Sequence, residues 1–111
     1  MKPENPYCVI LTTCPKERAA QALAQSLVEN GMAACVHITG ILSFYRWRGE
    51  LNSDTESLLI IKTKTALYDR VQQFIRENHE YEVPEIVRIA IDGGLPEYLG
   101  WMDEACSRHE G

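Results

Sequence analysis

Two long β-prone runs joined by a short turn constrain this chain more than any other feature. Ala33 to Trp47 is too β-branched and aromatic for a helix, Arg48-Gly49-Glu50 reads as a turn, and Leu51 to Thr63 returns through Leu58-Leu59-Ile60-Ile61. Ala34, Val36, Ile38, Leu42 and Phe44 fall on one face of the first run; Ile41, Tyr45 and Trp47 fall on the other. Gly40 between these halves is read as a bulge. At roughly a dozen residues per arm and ~3.3 Å per residue, the hairpin spans about 40 Å. A domain of 111 residues is narrower than that, so the tip must stand in water or grip a neighbour. Tyr45 and Trp47 near the tip favour gripping, because aromatic anchors are enriched at interfaces. The alternative is that these rings pack on their own subunit's last helix.

The remaining elements fall around this hairpin. Tyr7 to Thr13 reads as a buried strand, and Cys14-Pro15 as the opening of a helix, since proline is tolerated at the first helical position. Ala20, Leu23, Ala24, Leu27 and Val28 form its apolar stripe, and Asn30-Gly31 ends it. Thr65 is placed to cap a second helix with Leu67, Val71, Phe74 and Ile75 as its core stripe. The loop His79 to Glu85 leads to a strand from Ile86 to Ile91; after Asp92-Gly93-Gly94, Pro96 starts a last helix with Tyr98, Leu99, Met102 and Ala105 on one face. The order β-α-β-β-α-β-α is an α+β, ferredoxin-like βαββαβ sandwich with a long β2-β3 hairpin and an extra C-terminal helix. Residues 1–111 are expected to form one domain, with 1–6 a loose N-terminal segment and 107–111 a frayed tail.

Composition excludes several classes of function. Net charge is −5, and Arg46-Trp47-Arg48 is the densest basic stretch, which argues against a nucleic-acid partner. The apolar run Leu58 to Ile61 is far too short to cross a bilayer, and no other run is long enough either, so no membrane partner is expected. Met1-Lys2-Pro3-Glu4-Asn5-Pro6 is polar and unlike a secretory signal, which makes a cytoplasmic protein with reduced thiols the expectation. The first strand–helix junction, Thr12-Thr13-Cys14-Pro15-Lys16, lacks the glycine and arginine of a phosphate cradle and the CxxC of a metal-transfer chaperone. No HExxH, Walker loop or Ser/His/Asp set is legible, so a binding module is expected rather than an enzyme.

Several side chains carry possible chemistry. Cys14 at a helix N-terminus would feel the positive end of the helix dipole, favouring thiolate and metal ligation; the plainer reading is that it only fills the cap position, with Glu17 completing a capping box.

 Cys35 and His37, at i and i+2 of a strand, point the same way and both suit copper or zinc; the plainer reading makes Cys35 a small packing residue and His37 a solvated one. Lys62 interrupts an apolar strand end, and Glu85 follows a proline at the start of a facing strand. With Glu56 they read as an ion-paired set that orders the sheet edge. Cys8 and Cys106 read as core fillers, and His109 as exposed in the tail.

Ser43-Phe44-Tyr45-Arg46-Trp47-Arg48-Gly49-Glu50, followed by Leu58-Leu59-Ile60-Ile61-Lys62-Thr63, resembles the hairpin signature of the CutA family of divalent-cation tolerance proteins. His79 to Glu85 resembles that family's loop before the fourth strand, Tyr98-Leu99-Gly100-Trp101 its C-terminal helix, and Asn30 to Cys35 its entry into strand two. The resemblance runs from about Val9 to Ser107. It implies a PII-like homotrimer, with Tyr45, Trp47 and Trp101 at the subunit interface, and a role in tolerance to divalent cations, copper especially. It also implies metal ligands in the loop before the fourth strand and late in strand one. Aligned motif to motif, Thr12 and Asn78 stand at two of three expected ligand positions and His79 keeps the third, with Cys14 two residues beyond Thr12. A PII-like trimer further implies an inter-subunit cleft, where Lys62, Glu85, Tyr81, Trp47 and Glu56 would meet a small ligand instead of a metal.

Overall fold

The computed structural model describes residues 5–106. The expected loose segment, except Asn5 and Pro6, and the expected tail with His109 lie outside the described residues. Strands β1 (Tyr7–Cys14), β2 (Cys35–Trp47), β3 (Glu50–Lys64) and β4 (Val87–Ala90) form an antiparallel sheet in the order β2-β3-β1-β4. Helices α1 (Glu17–Glu29), α2 (Tyr68–Glu77) and α3 (Pro96–Ala105) complete the α+β, ferredoxin-like arrangement.

Alternation along β1 and β3 sorts the core. Cys8 and Ile10 on β1, with Leu59 and Ile61 on β3, are buried together with Ala20, Leu23 and Leu27 of α1 and Val71 and Ile75 of α2. Val28, expected in the α1 stripe, is exposed. The opposite sheet face carries Val9, Leu11, Leu58, Ile60, Val87 and Ile89, all half-buried or exposed. α3 covers only one end of it, through Met102, Ala34 and Cys106 packed with Tyr7 and Leu99. Tyr7 donates to Asp103 Oδ2 at 2.8 Å, and Lys64 pairs with Asp103 Oδ1 at 3.4 Å, tying α3 to that end.

The hairpin leaves the sheet. The last β1–β3 pair is Cys14↔Ser57, whereas β2 and β3 continue to pair from Ile41↔Glu56 to Trp47↔Glu50. This two-stranded ribbon projects about 20 Å at ~3.3 Å per residue. Arg48 and Gly49, at φ 54 and 80, close it as a two-residue turn with both central residues left-handed, the geometry that matches strand twist.

Three local expectations are corrected. Gly40 is not a bulge: it pairs with Ser57 in an unbroken one-to-one register. Cys14 and Pro15 do not open α1, because β1 runs on through Cys14 and the helix starts at Glu17 after Lys16. Thr65 does not cap α2 by its side chain; it begins a short 3₁₀ turn, and its hydroxyl donates to the Asn5 carbonyl at 2.6 Å while its N–H donates to Pro6.

Candidate functional site

The residues singled out above fall into three neighbourhoods, not one. The first is a notch where the hairpin leaves the sheet. The loop after α2 passes the end of β1 here, and His79 is its anchor: Nε2–H donates to the Thr13 carbonyl at 2.6 Å, and Nδ1 accepts the Tyr81 N–H at 3.0 Å. Both ring nitrogens of His79 are thus used inside the subunit, and the ring fixes the loop. Tyr81 then donates its hydroxyl to Glu56 Oε2 at 3.1 Å, and further along the ribbon Tyr45 donates to Asp54. Lys16 faces Glu80 at 3.9 Å across exposed surface.

Three acidic protons of this notch are shifted the same way. Tyr81 is pushed up to about 12, by burial first and then by its hydrogen bond to Glu56 and the charges of Glu56, Tyr45 and Asp54. The Tyr45 phenol is raised mainly by its bond to Asp54. Cys14 is also raised, by burial first and then by Glu80 and Glu56. This reverses the thiolate expected for Cys14, which rested on a helix N-terminus that the thiol does not occupy. Cys14 is 3% exposed. Thr12 is fully buried, and its Oγ1 finds no hydrogen-bond partner among the described residues.

The second neighbourhood lies on the same sheet face, at its α3 end. Lys62 Nζ stands 3.4 Å from the Tyr98 hydroxyl and 5.3 Å from the centre of its ring, and Tyr98 packs on Trp101 with ring centroids 5.4 Å apart. The partner of Lys62 is therefore an aromatic of α3, where the sequence suggested Glu85 or Glu56. Along β3 the six steps from Glu56 to Lys62 cover about 20 Å at ~3.3 Å each. Trp47, paired with Glu50, lies a similar distance from Glu56 in the opposite direction. One subunit does not bring Lys62, Glu56 and Trp47 together. Trp47 carries Arg48 over its ring at 5.6 Å, and Glu85 is exposed in the loop before β4.

The third neighbourhood is the start of edge strand β2, where Cys35 Sγ and His37 Nε2 meet at 3.5 Å. Cys35 is half-buried, while Cys8, Cys14 and Cys106 are buried. No group of three or more His, Cys, Asp or Glu residues among the described residues is placed to hold a metal ion.

The sequence reading missed Asp54 and Tyr98 as members of these neighbourhoods. Asp54 lies on the face of Glu56 by β alternation, which was a readable signal; the Lys62–Tyr98 contact depends on how α3 folds back and left none.

The ferredoxin-like sheet with a projecting ribbon and a largely uncovered face defines a class of small α+β proteins. The family described as CutA1 divalent ion tolerance protein matches residues 8–105, and the chain belongs to that family. It is 44% identical over 97 residues to the divalent-cation tolerance protein CutA of Thermus thermophilus, covering 86% of this chain and 94% of that one. It is also 44% identical over 98 residues to the chloroplastic protein CutA of Arabidopsis thaliana, covering 87% of this chain and 54% of the plant protein, so it spans about half that relative's length. Among solved structures, CutA1 from Oryza sativa superimposes with a TM-score of 0.90 at 39% identity, covering 96% of this chain and 98% of that one. CutA1 from a psychrotrophic Shewanella gives 0.91 at 34% identity, with 96% and 100% covered.

Proposed function

We propose that this protein is a homotrimeric, non-catalytic binding protein that contributes to divalent-cation tolerance by holding the cation at the notch, copper being the first ion to test. The observation that carries the reading is the gathering of Glu56, Glu80 and Asp54 at one notch, where their charges add to burial and hydrogen bonding in raising Tyr81, Tyr45 and Cys14. Such a place gathers positive charge. The carboxylates of one subunit leave a divalent ion's coordination shell open, which fits a site completed by a neighbour. Assembly is supported by the ribbon, where Leu42, Phe44, Trp47 and Leu51 are 60%, 65%, 57% and 72% exposed, and by the apolar sheet face that α3 leaves bare. A two-stranded ribbon with these side chains in water is marginal alone.

The test is a titration of the metal-free protein with Cu(II) and Zn(II) under chelator competition, together with Glu56→Gln and His79→Ala. Saturable binding weakened about tenfold or more by Glu56→Gln is expected, since one charged ligand is lost. Affinity identical in the wild type and both variants overturns the notch as the metal site.

One observation favours a second reading, a PII-like module for a small ligand. Lys62 sits against Tyr98, which in turn packs on Trp101, and no ion pair to its ammonium is formed among the described residues, a setting that suits a planar anion.

Saturable nucleotide or small-anion binding that survives chelator and falls in Lys62→Ala would favour it.

A further inference from the structure

Asn30-Gly31 is a pair that neither the bare sheet face nor the notch uses. It closes α1 in the helix layer, on the side of the sheet away from the bare face. Asn30 is exposed, and Gly31 is buried at φ 69. In an unstructured peptide this pair is prone to lose ammonia, because the glycine nitrogen has no side chain beside it to hinder attack on the Asn amide.

The cap holds both reacting groups elsewhere. Asn30 Nδ2 donates to the Ser26 carbonyl at 2.8 Å, so the amide is turned back along the helix. The Gly31 N–H donates to the Val28 carbonyl at 3.1 Å, so the nucleophile is occupied too. The turn beyond is tied at further points. The Met32 and Ala33 N–H groups share the Leu27 carbonyl at 2.9 and 3.1 Å, and the Thr63 hydroxyl donates to the Met32 carbonyl at 2.6 Å. Met32 and Ala33 are buried, so rotating Asn30 ψ away from 11° requires withdrawing them from the core.

From this geometry we infer that Asn30-Gly31 is a deamidation site gated by the α1 cap, closed while the cap holds and reactive when it opens. In the open form the Gly31 nitrogen attacks Asn30 Cγ and gives up its proton. The Cγ–Nδ2 bond breaks, and the amide nitrogen leaves with that proton as ammonia. Water then opens the cyclic imide at either carbonyl, leaving aspartate or isoaspartate, and no electron is transferred. Either product replaces the Nδ2–H donor to Ser26 with a carboxylate at a helix C-terminus, beside Glu29, where negative charge is unfavourable. Isoaspartate also lengthens the main chain by one carbon just before the buried turn. The modified cap therefore closes less well than the original, and the product records past openings of this end of α1.

The experiment incubates the full chain at mildly alkaline pH, folded and unfolded in guanidinium, and follows amide-to-acid conversion by peptide mapping. Circular dichroism verifies both states. In the unfolded chain conversion is expected at Asn30 ahead of Asn5, Asn52 and Asn78, which precede Pro6, Ser53 and His79. In the folded protein Asn30 should convert at least about tenfold more slowly, since only the open fraction reacts. A synthetic peptide of residues 26–34, with and without guanidinium, separates any effect of the denaturant itself. Equal rates in the folded and unfolded chain overturn the gate, and unfolded-state conversion that spares Asn30 overturns the site. Asn30→Asp, the product made directly, should lower the denaturation midpoint; a midpoint equal to or above the wild type overturns the weakened cap.

Discussion

The root and the tip of one hairpin obey the same alternation and meet opposite fates. Near the root, β3 sends Leu59 and Ile61 into the helix layer, where both are fully buried under α1 and α2. Toward the tip, the same face carries Leu51 and, on β2, Leu42 and Phe44, and these stay exposed because no helix reaches them. Large apolar side chains stand on this face in both places. The difference is what covers it: the root is buried by its own chain, and the tip is left bare by it.

The sharpest way to break this comparison is a charge at the tip. Trp47→Glu is expected to disperse the assembly into folded monomers, because it places a charge in the contact without touching the core. Sedimentation measures the mass and circular dichroism the fold. A wild-type mass that Trp47→Glu leaves unchanged would make the tip a free ribbon and end the contrast.

A smaller effect separates the two burial modes by free energy. Ile61→Ala should cost about 3 kcal/mol in any background, since it opens a cavity in the subunit's own core. Leu51→Ala should cost measurably in the assembled protein, yet stay within about 0.5 kcal/mol in the Trp47→Glu background, where the side chain already faces water. Chemical denaturation of both backgrounds and of each alanine variant in them checks this. Equal costs for Leu51→Ala in both backgrounds would mean that assembly does not bury the tip.

The sequence carried the strands, the helices and their order because each rests on periodicity, and the alternation of Cys8, Ile10 and Leu59 or the stripe of Val71 and Ile75 is a local signal. Element ends were less legible. Pro15 suggested a helix start, but the strand is held through Cys14 by pairing with Ser57, a contact distant in sequence. Gly40 suggested a bulge, yet an unbroken ladder accommodates it. The sites were legible only where their members share a strand face: Cys35 meets His37, as the i, i+2 spacing required. Tyr81 meeting Glu56 and Lys62 meeting Tyr98 depend on where a loop and α3 fold back, and spacing along the chain does not encode that.

The smallest effect expected lies at the notch, where root and tip join, and it is a matter of alkaline pH. Tyr81 titrates at about 12 in the folded protein, against about 10 in an unfolded chain. Between those values the unfolded state has lost the phenolic proton and the folded state has kept it, so the unfolded state binds fewer protons and stability falls as pH rises. The contribution is fully present below pH 10 and is lost through pH 12. Its size is reduced by solvent, because the ring is exposed. Tyr81→Phe removes both the hydrogen bond to Glu56 and the titration. The variant should be less stable at neutral pH by up to about 1 kcal/mol, and its stability should change less steeply between pH 10 and 12. Denaturation midpoints of both proteins at pH 8, 10 and 11.5 should therefore converge toward the alkaline end, since the raised Cys14 and Tyr45 act in both and cancel. Parallel curves would mean that the Tyr81–Glu56 contact does not form in solution, and the joint between root and tip would then be held by His79 alone.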